Sequence, residues 1–87
     1  MNLDHIIKAV ENFTKTDLKD NSREHNNLFA RYTYFKLARE NTTKTLELIG
    51  EKVNKHHTTV VNGLNKFDNY ITQYHLLREM YFGVSKE

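Results

Sequence analysis

The stretch Lys55-His56-His57-Thr58-Thr59 offers the most chemistry in this chain, because it sets a cation, two imidazoles and two hydroxyls directly ahead of the apolar pair Val60-Val61. Short hydrogen-bonding side chains at the opening of an amphipathic helix sit where free backbone N–H groups and the helix dipole attract anions. The ligands that suit them are phosphate oxygens and base edges. In a helix-turn-helix, residues of this kind at the N-terminal end of the second helix enter the major groove of a duplex. Gly50 and Asn54, just upstream, supply turn chemistry, Asn54 being a residue that tolerates the left-handed conformation.

Other chemistries find less support. His56, His57 and His75 are a poor metal set, since adjacent residues on a helix point about 100° apart and no carboxylate falls at ligand spacing beside them. The chain has no cysteine, which excludes disulfides and thiolate zinc sites and suits a reducing cytoplasm. No Ser, His and acid arrangement suggests a hydrolase, so an enzyme is not expected. No apolar stretch approaches the roughly 18 residues of a membrane span, and the N-terminus lacks the plan of a signal peptide.

The elements that must position the His-Thr-Thr stretch follow from spacing. The 87 residues contain no proline and three glycines, which disfavours a β-meander and predicts a small all-α bundle of four to six helices. Leu3, Ile6, Ile7, Val10 and Phe13 predict an amphipathic supporting helix from about residue 2 to 14, within a supporting segment 1–20. A polar connection over 17–27 leads to a second helix over about 26–41, with apolar residues spread around it as a central element needs. Thr42, Thr43 and Thr45 offer N-cap hydroxyls to a short helix of about eight residues carrying Leu46, Leu48, Ile49 and Val53. After Asn54, a helix opening at 56–58 continues through Val60, Val61, Leu64 and Phe67 to about Tyr70, so that 45–70 has helix-turn-helix proportions. Residues 71–87 are again helical in period, as a separate helix or an extension.

Charge divides along the chain. Residues 1–20 and 67–87 each sum to −1, whereas 21–66 carry eight Lys and Arg against four Glu, a net of +4. Concentrated Lys and Arg are what a phosphate-binding surface requires, because each neutralised phosphate releases condensed counterions.

From Arg23 to about Phe67 the chain resembles the C-terminal DNA-binding domain, domain IV, of the bacterial replication initiator DnaA. The family's hallmark is a basic residue, any residue, His, Thr, Thr and two aliphatics, here Lys55 to Val61. Leu37-Ala38-Arg39-Glu40 with Asn41-Thr42 is similar to the family's Leu-Ala-Arg/Lys-Glu-Leu-Thr, and Leu48-Ile49-Gly50 to its Glu-Ile-Gly ahead of the turn. The stripe from Ile6 to Phe13 looks like the first helix of that domain.

The resemblance implies a role for each matching residue. Arg23 falls on a basic-loop arginine that reaches into the minor groove, where a guanidinium suits a narrow A·T-rich groove. Arg31, Arg39, Lys55 and Thr59 match phosphate-backbone contacts, and Leu46 an apolar backbone contact; such residues position a protein on DNA and do not read sequence. His57 and Thr58 match a His-Thr pair that meets base edges and thymine methyls. His56 stands where the family usually has Asp, Glu47 where it has Pro, Gly63 where Ser or Ala is usual and Phe67 where an aliphatic is usual, while Asn54 replaces two small residues and shortens the turn by one.

The family joins this domain to an ATPase, which needs a Gly-rich phosphate loop; Gly50, Gly63 and Gly83 are too scattered to build one. The chain therefore reads as a stand-alone, cofactor-free module for double-stranded DNA, of the kind a phage or plasmid accessory protein provides in replication or transcription. The competing reading is a protein-interaction module that keeps the fold and docks a host initiator or another protein through Tyr70, Tyr74, Tyr81 and Phe82.

Overall fold

Five helices follow one another in the computed structural model, which describes residues 2–86: α1 (Leu3–Thr14), α2 (His25–Asn41), α3 (Leu46–Glu51), α4 (His57–Tyr70) and α5 (His75–Ser85). No strand occurs among the described residues. The expected all-α bundle is thus the observed fold, and the last segment is a helix of its own. None of these helices is long and apolar enough to cross a membrane.

Helix α2 is the axle of the bundle. Phe29 to Phe35, Leu37 and Ala38 are buried on nearly every side, and all four other helices pack on it. Helix α1 begins where the Asn2 side chain accepts the His5 N–H at 2.8 Å. It buries Leu3, Ile6 and Val10 against α2 and ends on Lys15 in the left-handed conformation, φ 59°. Helix α5 buries Leu77, Met80 and Val84. One cluster joins α1, α2, α3 and α4 around Tyr34, Phe35, Ile49 and Val60; a second joins α2, α4 and α5 around Phe29, Tyr32, Phe67, Leu77 and Met80.

Two expectations need correction. Helix α3 has six residues instead of about eight, because Val53 and Asn54 hydrogen-bond to carbonyls three residues back, at Gly50 and Glu51, and tighten the chain into the turn. Val61, read as continuing the apolar run of Val60, is 39% exposed: one helical step of about 100° carries it away from the core that Val60 fills.

Gly63, where the resemblance implies Ser or Ala, is matched to the packing of α4 on α2. A Cβ there would stand 2.5 Å and 2.9 Å from ring carbons of the fully buried Phe35. Gly63→Ala is expected to lower stability by about 2 kcal/mol through overpacking. Combined with Phe35→Leu, which shortens the obstructing side chain, the loss should be smaller than the sum of the two single losses by about 1 kcal/mol or more. Urea unfolding of the four proteins measures this coupling, and strict additivity would clear the Phe35 ring of the role.

Candidate nucleic-acid interface

The turn between α3 and α4 closes on Gly50. Its carbonyl accepts N–H groups from Val53 at 3.0 Å and Lys55 at 2.9 Å, and Asn54 takes the left-handed conformation expected of it, φ 58°. A Cβ on Gly50 would lie 2.5 Å from the Lys55 carbonyl oxygen, so the approach of backbone to backbone requires glycine. Thr45 caps α3 by accepting the Leu48 N–H at 3.2 Å. From α2, the buried Tyr34 hydroxyl donates to the Ile49 carbonyl at 2.8 Å and pins α3 in place. Burial raises the Tyr34 phenol above its ordinary range, with Asp4 adding to the effect, which keeps it a donor.

Helix α4 opens on His56, whose Nδ1 accepts the Thr58 N–H at 3.2 Å. The imidazole standing where the resemblance puts Asp is therefore the N-cap, and an imidazole that accepts at Nδ1 carries its proton on Nε2. The His57 ring packs against it with centroids 4.3 Å apart. His56, His57, Thr58 and Thr59 are all exposed.

The connection between α1 and α2, residues 15–24, holds its shape through side-chain turns. Lys19 N–H and Ser22 N–H donate to the carboxylates of Asp17 and Asp20, each at 2.9 Å, and Leu18 N–H donates to Glu11 at 2.9 Å. Arg31 and Lys55 fasten it to the rest of the molecule. Arg31, expected to face phosphate, is only 6% exposed and lies behind the loop, its terminal nitrogens donating to the carbonyls of Asp20 at 2.6 Å and Ser22 at 3.0 Å. Lys55 Nζ, from the α3–α4 turn, donates to Asn21 Oδ1 and to the Lys19 carbonyl.

Between this loop and α4 runs a cleft of about 550 Å³ whose walls include Arg23, Arg31, Lys55, Thr59 and Lys66. Arg23 is exposed and has no hydrogen bond or ion pair among the described residues. Burial pulls the Arg31 guanidinium below its ordinary value, Tyr32 and Asp20 draw it back up, and Arg23 lowers it further. Burial likewise lowers the Lys55 ammonium, Arg31 adds to that, and Asp20 and Asp17 oppose it. Mutual repulsion of cations in a concave wall is what an incoming anion relieves.

Sequence reading missed Lys66, although its spacing of seven from Thr59 puts both on one face of α4. Arg39, in the last turn of α2, and Leu46, half-buried at the first position of α3, do not line the cleft. Lys36 and Lys52 are occupied by ion pairs with Asp68 at 3.2 Å and Asp4 at 3.4 Å. The four aromatic residues of the competing reading divide. Tyr70 and Tyr74 pack with Phe29, whereas Tyr81 is bonded to Glu40 and meets Phe82, which is 53% exposed, edge to face.

A hydroxyl-capped short helix, a turn closed on glycine and a longer helix with a polar entrance beside a loop that presents Arg23 define a helix-turn-helix domain. The chain belongs to the bacterial DnaA protein helix-turn-helix family, whose pattern matches residues 3–67. It is 34% identical over 67 residues to the chromosomal replication initiator protein DnaA of Oleidesulfovibrio alaskensis, covering 74% of this chain and 14% of that protein. It is 38% identical over 66 residues to the protein of the same description from Thermoanaerobacter pseudethanolicus, covering 76% of this chain and 15% of that protein. The chain thus spans about one seventh of the length of these relatives. No solved structure matches it.

Proposed function

We propose that this chain is a non-catalytic double-stranded DNA-binding domain acting in replication or its regulation. Helix α4 enters the major groove with His57 and Thr58 toward base edges. Lys55, Thr59 and Lys66 meet the phosphate rim, and Arg23 reaches the adjacent minor groove. Arg39 and Leu46 are further backbone contacts carried over from the family, and the protein needs no nucleotide or metal for this. The observation that carries the reading is the cleft itself: cations with no ion pair among the described residues line one wall of a family helix-turn-helix, on the side of α4 that Thr59 and Lys66 share.

Fluorescence anisotropy with an A·T-rich duplex pool tests it. Four cations brought to the duplex, Arg23, Arg39, Lys55 and Lys66, predict a slope of about −4 in log affinity against log salt, a loss on the order of 10²-fold between 50 and 200 mM salt. Arg23→Ala should weaken binding more on A·T-rich than on G·C-rich flanks, since only the former narrow the minor groove. Absence of binding to any duplex at low salt, from a protein with its helical content intact, sinks the DNA reading and favours the protein-docking one.

A further inference from the structure

Down the axis of α4, Val60, Gly63 and Phe67 mark the buried side. At 100° per residue the opposite side carries Thr58, Val61, Asn62, Asn65 and Asn69. All five are exposed and none is charged. The charges stand beside this strip: Lys66 and Lys55 with Arg23 on the cleft side, and Asp68 of α4, ion-paired with Lys36 of α2, on the other. A neutral strip of amides and methyls with cations along its cleft side suits a major groove. There the phosphates run along the rim, and the code between them consists of donors, acceptors and the thymine methyl.

We propose that the outward strip of α4 continues the readout past the His-Thr entrance, with Val61 meeting a thymine 5-methyl and Asn65 meeting adenine N6 and N7. The inference deepens the DNA-binding reading above and rests on it. A carboxamide presents one acceptor and one donor side by side, the complement of adenine's N6–H and N7. An isopropyl group left 39% exposed on the same helical face suits a methyl surface and nothing else in the groove code. The pair are i, i+4 neighbours, so both side chains reach one local region of the groove. Thr58 and Asn65 are seven residues apart, about 10 Å along the axis at 1.5 Å per residue. That span covers about three base-pair steps of roughly 3.4 Å.

The test starts from duplexes that the unaltered protein selects out of a random pool. Asn65→Ala and Val61→Ala are exposed substitutions toward a better helix former, so thermal melting should be unchanged or raised. Each is expected to weaken binding to the selected duplex by about 5- to 100-fold, while affinity for random duplex and the salt slope stay the same. Replacing adenines one at a time by 7-deazaadenine, which lacks the N7 acceptor, should identify one position where the unaltered protein loses affinity and Asn65→Ala does not. Uracil in place of thymine should do the same for Val61→Ala. Variants that keep the unaltered preference at every position, in a protein that still binds duplex with the expected salt slope, overturn this proposal alone. A protein that selects no duplex at any salt overturns it together with the reading beneath it.

Discussion

Arg31→Ala is expected to lower stability by about 2 to 3 kcal/mol and to weaken duplex binding more than tenfold. The side chain is 6% exposed and spends two guanidinium donors on the Asp20 and Ser22 carbonyls. Hydrogen bonds from a charged donor contribute about 1.5 to 3 kcal/mol each, and water reaching the freed carbonyls recovers part of the loss. Because the loop carrying Arg23 rests on that guanidinium, loss of affinity should accompany loss of order, seen as faster amide exchange over residues 18–23. Arg31→Lys should rescue little, since an ammonium lacks the planar fork that spans two acceptors. Full stability with reduced affinity would instead put Arg31 in direct contact with phosphate, as the family resemblance implies.

Gly50→Ala should cost about 2 kcal/mol of stability, and duplex affinity with it. Alanine inside a helix ordinarily gains about 1 kcal/mol over glycine, so the sign must come from the obstacle. Here the obstacle is the Lys55 carbonyl, 2.5 Å from the added Cβ, with Val60 Cγ2 at 3.0 Å. Neither can retreat without opening the turn that sets α4. Gly83→Ala is the control: its Cβ would meet the ring of Phe13, which is 42% exposed and free to swing aside, so its stability should stay within about 0.5 kcal/mol of the parent. Urea unfolding decides between the two positions, and equal effects would show that local glycine entropy, not the approach of the turn, governs both.

Helices α1 and α4 were legible because their buried residues repeat at helical spacing, and Asn54 because its side chain suits the left-handed conformation it takes. Lys15 takes the same conformation with no such signal in its type. His56 read as a groove residue rather than a cap, since capping is the habit of Ser, Thr, Asp and Asn; its Nδ1 nevertheless does the work of the carboxylate usual there. The burial of Arg31 was not legible, for a reason no local pattern contains. An arginine on a helix is ordinarily solvated, and only the path of a loop eleven residues upstream, arching over it, converts it into a buried strut. Val61 looked like core by hydropathy, and its partner Val60 shows how a single residue of phase separates packing from display.

The loop is held from two directions, by Arg31 on α2 and by Lys55 in the turn that launches α4. Its backbone is further set by Asp17, Asp20 and Glu11, all before any duplex arrives. In the proposed binding mode, Arg23 and the entrance of α4 are therefore the two jaws of one preformed caliper. An arm that had to fold onto DNA would surrender the entropy of some ten residues at the moment of capture. This one surrenders mainly the rotamers of Arg23 itself, so encounter with a duplex becomes a matter of orientation and charge steering. In that mode the preformed loop fixes the offset between the proposed minor-groove and major-groove contacts, and a site whose two halves are spaced one base pair too far apart would lose one jaw entirely.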